Sequence, residues 1–73
     1  MEIDETLAAR AMDAALAETP QFAQYGPKMI WMPLREGGAL LLRYENQPPR
    51  DLPGLWDFQN AVVKGYKRMA GIS

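Results

Sequence analysis

Residues 28–45 read KMIWMPLREGGALLLRYE, and this stretch decides the fold. Two apolar runs, Lys28 to Leu34 and Ala39 to Glu45, flank the polar tetrapeptide Arg35-Glu36-Gly37-Gly38. Adjacent glycines supply the positive φ that a tight turn needs, so the stretch predicts an antiparallel β-hairpin. Register governs which side chains share a face, because a slip of one residue moves them all across the sheet. A two- or four-residue loop groups Ile30, Met32 and Leu34 with Leu41, Arg43 and Glu45. A three-residue loop centred on Gly37 groups them with Leu40, Leu42 and Tyr44, an entirely apolar face. The cleaner sorting favours the three-residue loop. The opposite face then carries Met29, Trp31, Pro33, Leu41, Arg43 and Glu45, with Trp31 directly across from Arg43.

Upstream, Asp4 to Glu18 predicts a helix. Ile3, Leu7, Ala11 and Ala14 recur at helical spacing, and Met12 and Leu16 widen the stripe. Asp4 suits the N-cap, and Glu5 suits the positive end of the helix dipole. Pro20 disfavours helical geometry at Thr19 and ends the helix. Ala8, Ala11 and Ala15 leave a flat surface that a second backbone can approach. In the linker from Pro20 to Pro27, Phe22 and Tyr25 stand three apart, as in one helical turn, and Gly26-Pro27 redirects the chain.

Downstream, Pro48, Pro49 and Pro53 give residues 46–54 the character of an extended surface segment. Leu52 to Ala70 then predicts a second amphipathic helix, with Asp51 as cap and Pro53 in its first turn. Leu55, Phe58, Val62, Tyr66 and Met69 form its spine, flanked by Trp56, Val63 and Ala70. Gln59 interrupts the apolar stripe, either as a satisfied buried amide or as the point where the stripe meets a partner. Gly71 suits the C-terminal cap. Gly65 costs a helix about 1 kcal/mol relative to alanine, which points to a close approach by the first helix.

The expected fold class is α+β: one small domain in α-β-β-α order, with two helices on one face of a two-stranded antiparallel hairpin. A chain of 73 residues has room for one core. It buries only about 60% of the surface its unfolded form exposes, and small domains commonly add disulfides, a metal or a partner. Cysteine and histidine are both absent. That removes disulfides, thiolate and imidazole metal sites, cysteine nucleophiles and histidine bases together, and leaves a partner as the remaining support. No apolar run is long enough to span a bilayer, the opening residues are acidic where a secretory signal would be basic, and a cytoplasmic location is expected.

Catalysis has little to work with. The hydroxyls are Thr6, Thr19 and Ser73, none with an evident base beside it, and no phosphate loop, metal-ligand spacing or nucleophile elbow appears. A non-enzyme without cofactor, metal or small-molecule substrate is expected. Charge is uneven around a net −1. Residues 1–19 hold Glu2, Asp4, Glu5, Asp13 and Glu18 against Arg10, a net −4, and residues 20–73 hold seven basic against four acidic side chains, a net +3. The asymmetry suits either mutual accommodation of the two helices or steering of a charged partner.

Three surfaces are candidates. Met29, Trp31, Leu41 and Arg43, on the hairpin face turned from the helices, combine the aromatic, Met and Arg residues that interface cores enrich. The alternative is that a loop covers this face and that Trp31 stacks on Arg43 as a structural pair. Open hairpin edges, blunted only by Pro33, could pair between copies or receive a partner's strand, and a homodimer is expected. Lys64, Lys67 and Arg68 form the one basic cluster, either a solvated final turn or a nucleic-acid contact, and the acidic balance of the chain speaks against the latter. The leading expectation is a protein-interaction module that occupies a partner's surface. Small chains of this kind are often phage or mobile-element accessory proteins, including anti-CRISPR-type inhibitors of host nucleoprotein complexes. The alternatives are a nucleic-acid-binding role through the basic helix and a subunit buried in a larger assembly.

Overall fold

Asp4 starts the fold. Its side-chain Oδ1 accepts the N–H groups of Thr6 at 3.0 Å and Leu7 at 3.2 Å. Two of the four donors that a helix N-terminus leaves open are thereby satisfied, and helix α1 runs Glu5–Glu18. The structure, a computed structural model, describes residues 2–72. Thr19 closes α1 by directing both its backbone N–H and its hydroxyl to the Ala15 carbonyl. Pro20–Tyr25 forms a 3₁₀ segment, the helical turn expected from the spacing of Phe22 and Tyr25. Strand β1 (Pro27–Leu34) and strand β2 (Gly37–Tyr44) follow, and helix α2 (Leu55–Ala70) completes the chain. The α-β-β-α order and the packing of both helices on the hairpin are as the sequence predicts. No helix of the described residues is long and apolar enough to cross a membrane.

The register departs from the three-residue loop. Leu34 pairs with Gly37, Met32 with Ala39, Ile30 with Leu41 and Lys28 with Arg43, so only Arg35 and Glu36 form the loop. Among the described residues no non-glycine has positive φ, and the positive angle of this connection falls on Gly37, at φ 127°. Gly38 has a different reason to be glycine. A Cβ there would overlap the indole of Trp31 and come within 2.9 Å of the Met32 carbonyl oxygen. Trp31 is therefore opposite Leu40 and lies over Gly38 on the face toward the helices, not across from Arg43. Both faces of β1 are apolar, so purity of the inner face does not discriminate between registers. Tertiary contact does.

The core forms between that face and the two helices. Met29 and Leu40 join Ala11, Met12, Ala15, Phe22, Leu55, Phe58, Val62 and Tyr66, with Trp31, Leu42 and Tyr44 partly buried against them. Burial of each large apolar side chain contributes on the order of 1.5–3 kcal/mol before entropy is counted. Phe22 stacks on Phe58 with ring centroids 4.7 Å apart, which ties the 3₁₀ segment to α2. On α1 the buried stripe is Ala11, Met12 and Ala15, and Ala14 is exposed, so the helix is rotated from the expected stripe. Ala11 faces Gly65: a Cβ on Gly65 would stand 3.7 Å from the Ala11 Cβ, the close approach the small residues predict.

The second helix begins later than its sequence pattern. Asp51 does not cap it; Gly54, at φ 81°, occupies the N-cap position without a side-chain hydrogen bond, and Leu52 and Pro53 lie outside the helix. The turn bonds Leu52 N–H to Pro49 O and Leu55 N–H to Leu52 O use the chain that would otherwise extend the helix. Pro48, expected at the surface, is fully buried. At the other end Gly71 N–H reaches the Arg68 carbonyl and Ile72 N–H the Lys67 carbonyl, the paired bonds of a glycine-terminated helix.

Candidate protein-docking surface

Alternation along the two strands sends one set of side chains to the helices and the other to the opposite face. That outer face carries the pairs Ile30–Leu41 and Met32–Ala39, then Leu34 at the turn, with Lys28 opposite Arg43 at the far end. Met32, Leu34 and Leu41 are 40%, 58% and 41% exposed, and Ile30 is half-buried. The result is an apolar stripe along the hairpin with two cations side by side at one end. Like charges directly opposite one another oppose strand pairing, so the Lys28–Arg43 pair is no help to the hairpin itself. Toward a partner, an apolar stripe beside a cationic end matches an apolar patch with an acidic border.

Of the four residues singled out on the hairpin, the structure therefore brings together only two. Leu41 and Arg43 lie on the outer face, two residues apart on β2, whereas Met29 is buried against the core and Trp31 is half-buried on the inner face. Ile30, Met32 and Leu34 take their places on the exposed side. In the sequence they form an apolar set at alternate positions, which the three-residue loop would place in the core.

Residues 64–68 do not converge into one basic site. Lys64 and Arg68, one helical turn apart, line a groove between the backs of α1 and α2 with Ala11, Ala15, Gly65 and the acid Glu18. Lys67 projects about 100° away from Arg68 around the helix and is half-buried. Gln59, ambiguous in the sequence, is a partly buried amide with a partner: the Tyr44 hydroxyl donates to its Oε1 at 2.7 Å. Burial holds the Tyr44 phenol above its ordinary value of 10.0. Among the described residues no buried side-chain nitrogen or oxygen lacks a hydrogen-bond partner.

Trp56 lies on the flank of α2, as the sequence places it, but its exposure was not legible there. It is the most exposed large apolar side chain described, at 69%, although it adjoins the spine residue Leu55. Helical rotation of about 100° per residue carries position 56 off the spine onto the flank shared by Asn60, Val63 and Lys67, and among the described residues no strand lies over that flank. No protein-family model matches the chain, and no curated protein or solved structure shows significant similarity to it.

Proposed function

We propose that this chain is a protein-interaction module without chemistry of its own, which docks through the outer face of its hairpin and acts by occupying a partner's surface. The exposure of Met32, Leu34 and Leu41 on one continuous strand face carries the reading. Apolar side chains scattered singly over a surface need no explanation, but a contiguous row on a paired, rigid element is the usual composition of an interface centre. The partner's complementary patch is apolar with carboxylates at the border, where Lys28 and Arg43 meet it. Steric inhibition of a host nucleoprotein complex, in the anti-CRISPR manner, is the specific form of occupancy we propose.

The test compares the intact chain with a Leu34→Ser/Leu41→Ser variant as baits in the native cell extract, with thermal unfolding of both recorded. Both positions are exposed, so the variant should stay folded. A partner retained by the intact chain and lost from the folded variant supports the reading. Equal recovery on both baits refutes it.

A further inference from the structure

Layer widths do not match in this fold. Helices packed side by side stand about 8–10 Å apart, whereas paired strands stand about 4.8 Å apart. With α1 against β1 and α2 against β2, the helix pair is wider than the ribbon it supports. At the β2 side, α2 projects beyond the strand as a shelf. Trp56, Gln59, Asn60 and Val63 from α2 form one wall of an open groove of about 330 Å³, and Leu40, Leu41 and Leu42 form the other.

The backbone at that edge is fully equipped for pairing. Ladder hydrogen bonds alternate along an antiparallel pair, and Pro33, with no N–H, occupies a position that points outward. The outward set on β1 is thus Pro27, Met29, Trp31 and Pro33, of which two have no donor. On β2 the outward set is Gly38, Leu40, Leu42 and Tyr44, and each has both a donor and an acceptor. Among the described residues no other backbone bonds to these β2 groups. Prolines blunt one edge, and the other is open over a partly apolar ledge.

We propose that the β2 edge and the α2 shelf accept one extended strand of a partner protein, which becomes the third strand of the sheet. The inference rests on the interaction-module reading and adds a second surface to it. Leu40, Leu42, Trp56 and Val63 call for a strand with apolar side chains at alternate positions facing the shelf, and with free N–H groups at the residues that pair with β2. A second copy of this chain fits poorly. Antiparallel β2–β2 pairing would put two α2 helices on the same side of the joined sheet, beneath strands only about 5 Å apart, and the two Trp56 shelves would collide. A strand with no helix under it has no such conflict. The accessible surface is 5365 Å², against about 4,500 Å² for a folded chain of 8.2 kDa. The excess, about 800 Å² over the whole molecule, is comparable to the area one partner contributes to a standard interface.

A short synthetic peptide of alternating valine and threonine, with lysine at both ends, serves as the probe. In the intact protein its addition should slow amide hydrogen exchange at Gly38, Leu40 and Leu42, leave Met29 and Trp31 unchanged and shift the tryptophan emission. Trp56→Lys, at an exposed position, should weaken peptide binding by about tenfold or more. Leu42→Pro, which removes an outward N–H, should weaken it similarly, with circular dichroism confirming the fold. A Met32→Ser/Leu34→Ser variant, altered only on the outer hairpin face and also used as a bait for the native partner, should bind the peptide as the intact chain does, so loss of the native partner and loss of the strand site are read separately. Absence of protection at the three amides, or equal binding by Trp56→Lys, overturns the proposal. A dimer by light scattering that Leu42→Pro converts to monomer also overturns it, by naming a second copy as the occupant.

Discussion

The hydroxyl of Tyr66, in the last turns of α2, accepts the backbone N–H of Asp4 at 2.9 Å across 62 residues of chain. Asp4 is also the cap of α1, so one residue holds the first turn of its own helix and receives an anchor from the other helix. Tyr66 is 2% exposed, and its ring belongs to the core while its oxygen reaches the Asp4 backbone N–H at the rim. The two ends of the domain are fastened at this point.

Tyr66→Phe keeps the ring and removes the acceptor, which leaves a part-buried N–H without its partner. We expect a loss of about 1–2 kcal/mol, seen as a fall of several degrees in Tm. Asp4→Ala should cost about 1 kcal/mol through the lost cap. Because both changes act on one junction, the double variant should lose less than the two single losses together. Strict additivity in chemical denaturation would show that cap and anchor are independent.

Gly38→Ala places a methyl group against the Trp31 indole and near the Met32 carbonyl. The expected result is destabilisation by about 1–3 kcal/mol, the usual range for forced displacement in a packed region. Trp31→Ala alone should also destabilise, by removing a half-buried aromatic ring from the inner face. Combining the two should recover part of the Gly38→Ala loss, since the ring that meets the methyl is gone. Urea unfolding of all four proteins measures the coupling, and a coupling near zero would contradict the contact.

Gly65→Ala is expected to stabilise. Its new methyl would sit 3.7 Å from the Ala11 Cβ, an ordinary contact, and the helix would gain up to about 1 kcal/mol from alanine's better propensity. Gly65→Leu should do the opposite, by forcing α1 and α2 apart. If alanine lowers Tm instead, the interhelical approach is tighter than the structure shows.

Tyr44 contributes a decline in stability at alkaline pH. Burial disfavours the phenolate and raises the folded-state pKa above the unfolded value of 10.0. The folded state therefore keeps this proton in a range where the unfolded state loses it. The associated stability is complete below pH 10 and declines as pH rises from there through the folded-state pKa. Tyr44→Phe should lower stability at neutral pH, because Gln59 loses its donor, and should flatten the decline above pH 10 relative to the intact chain. Thermal unfolding from about pH 7 to about pH 11.5 tests both parts.

Element existence and order were legible in the sequence because each depended on local chemistry. The Asp4 cap, the stop at Pro20, the turn glycines and the Gly71 terminus each act within one turn of themselves. The close approach of the helices was legible too, since Gly65 and Ala11 are small at positions where bulk would be expected. What the local pattern could not do was orient β1. Met29 and Trp31 on one side, and Ile30, Met32 and Leu34 on the other, are both acceptable to a core, so either face could be turned inward.

The apolar content of both strand faces by itself determined that a two-stranded ribbon with helices on one side would keep apolar surface in view on the other. Which surface that is was decided only when Trp31 settled over Gly38 and Tyr44 reached Gln59. Those contacts join residues on different strands, or on strand and helix, and no short-range propensity encodes them. The same holds for Trp56, which the helix alone places on a flank and the narrowness of the sheet leaves uncovered.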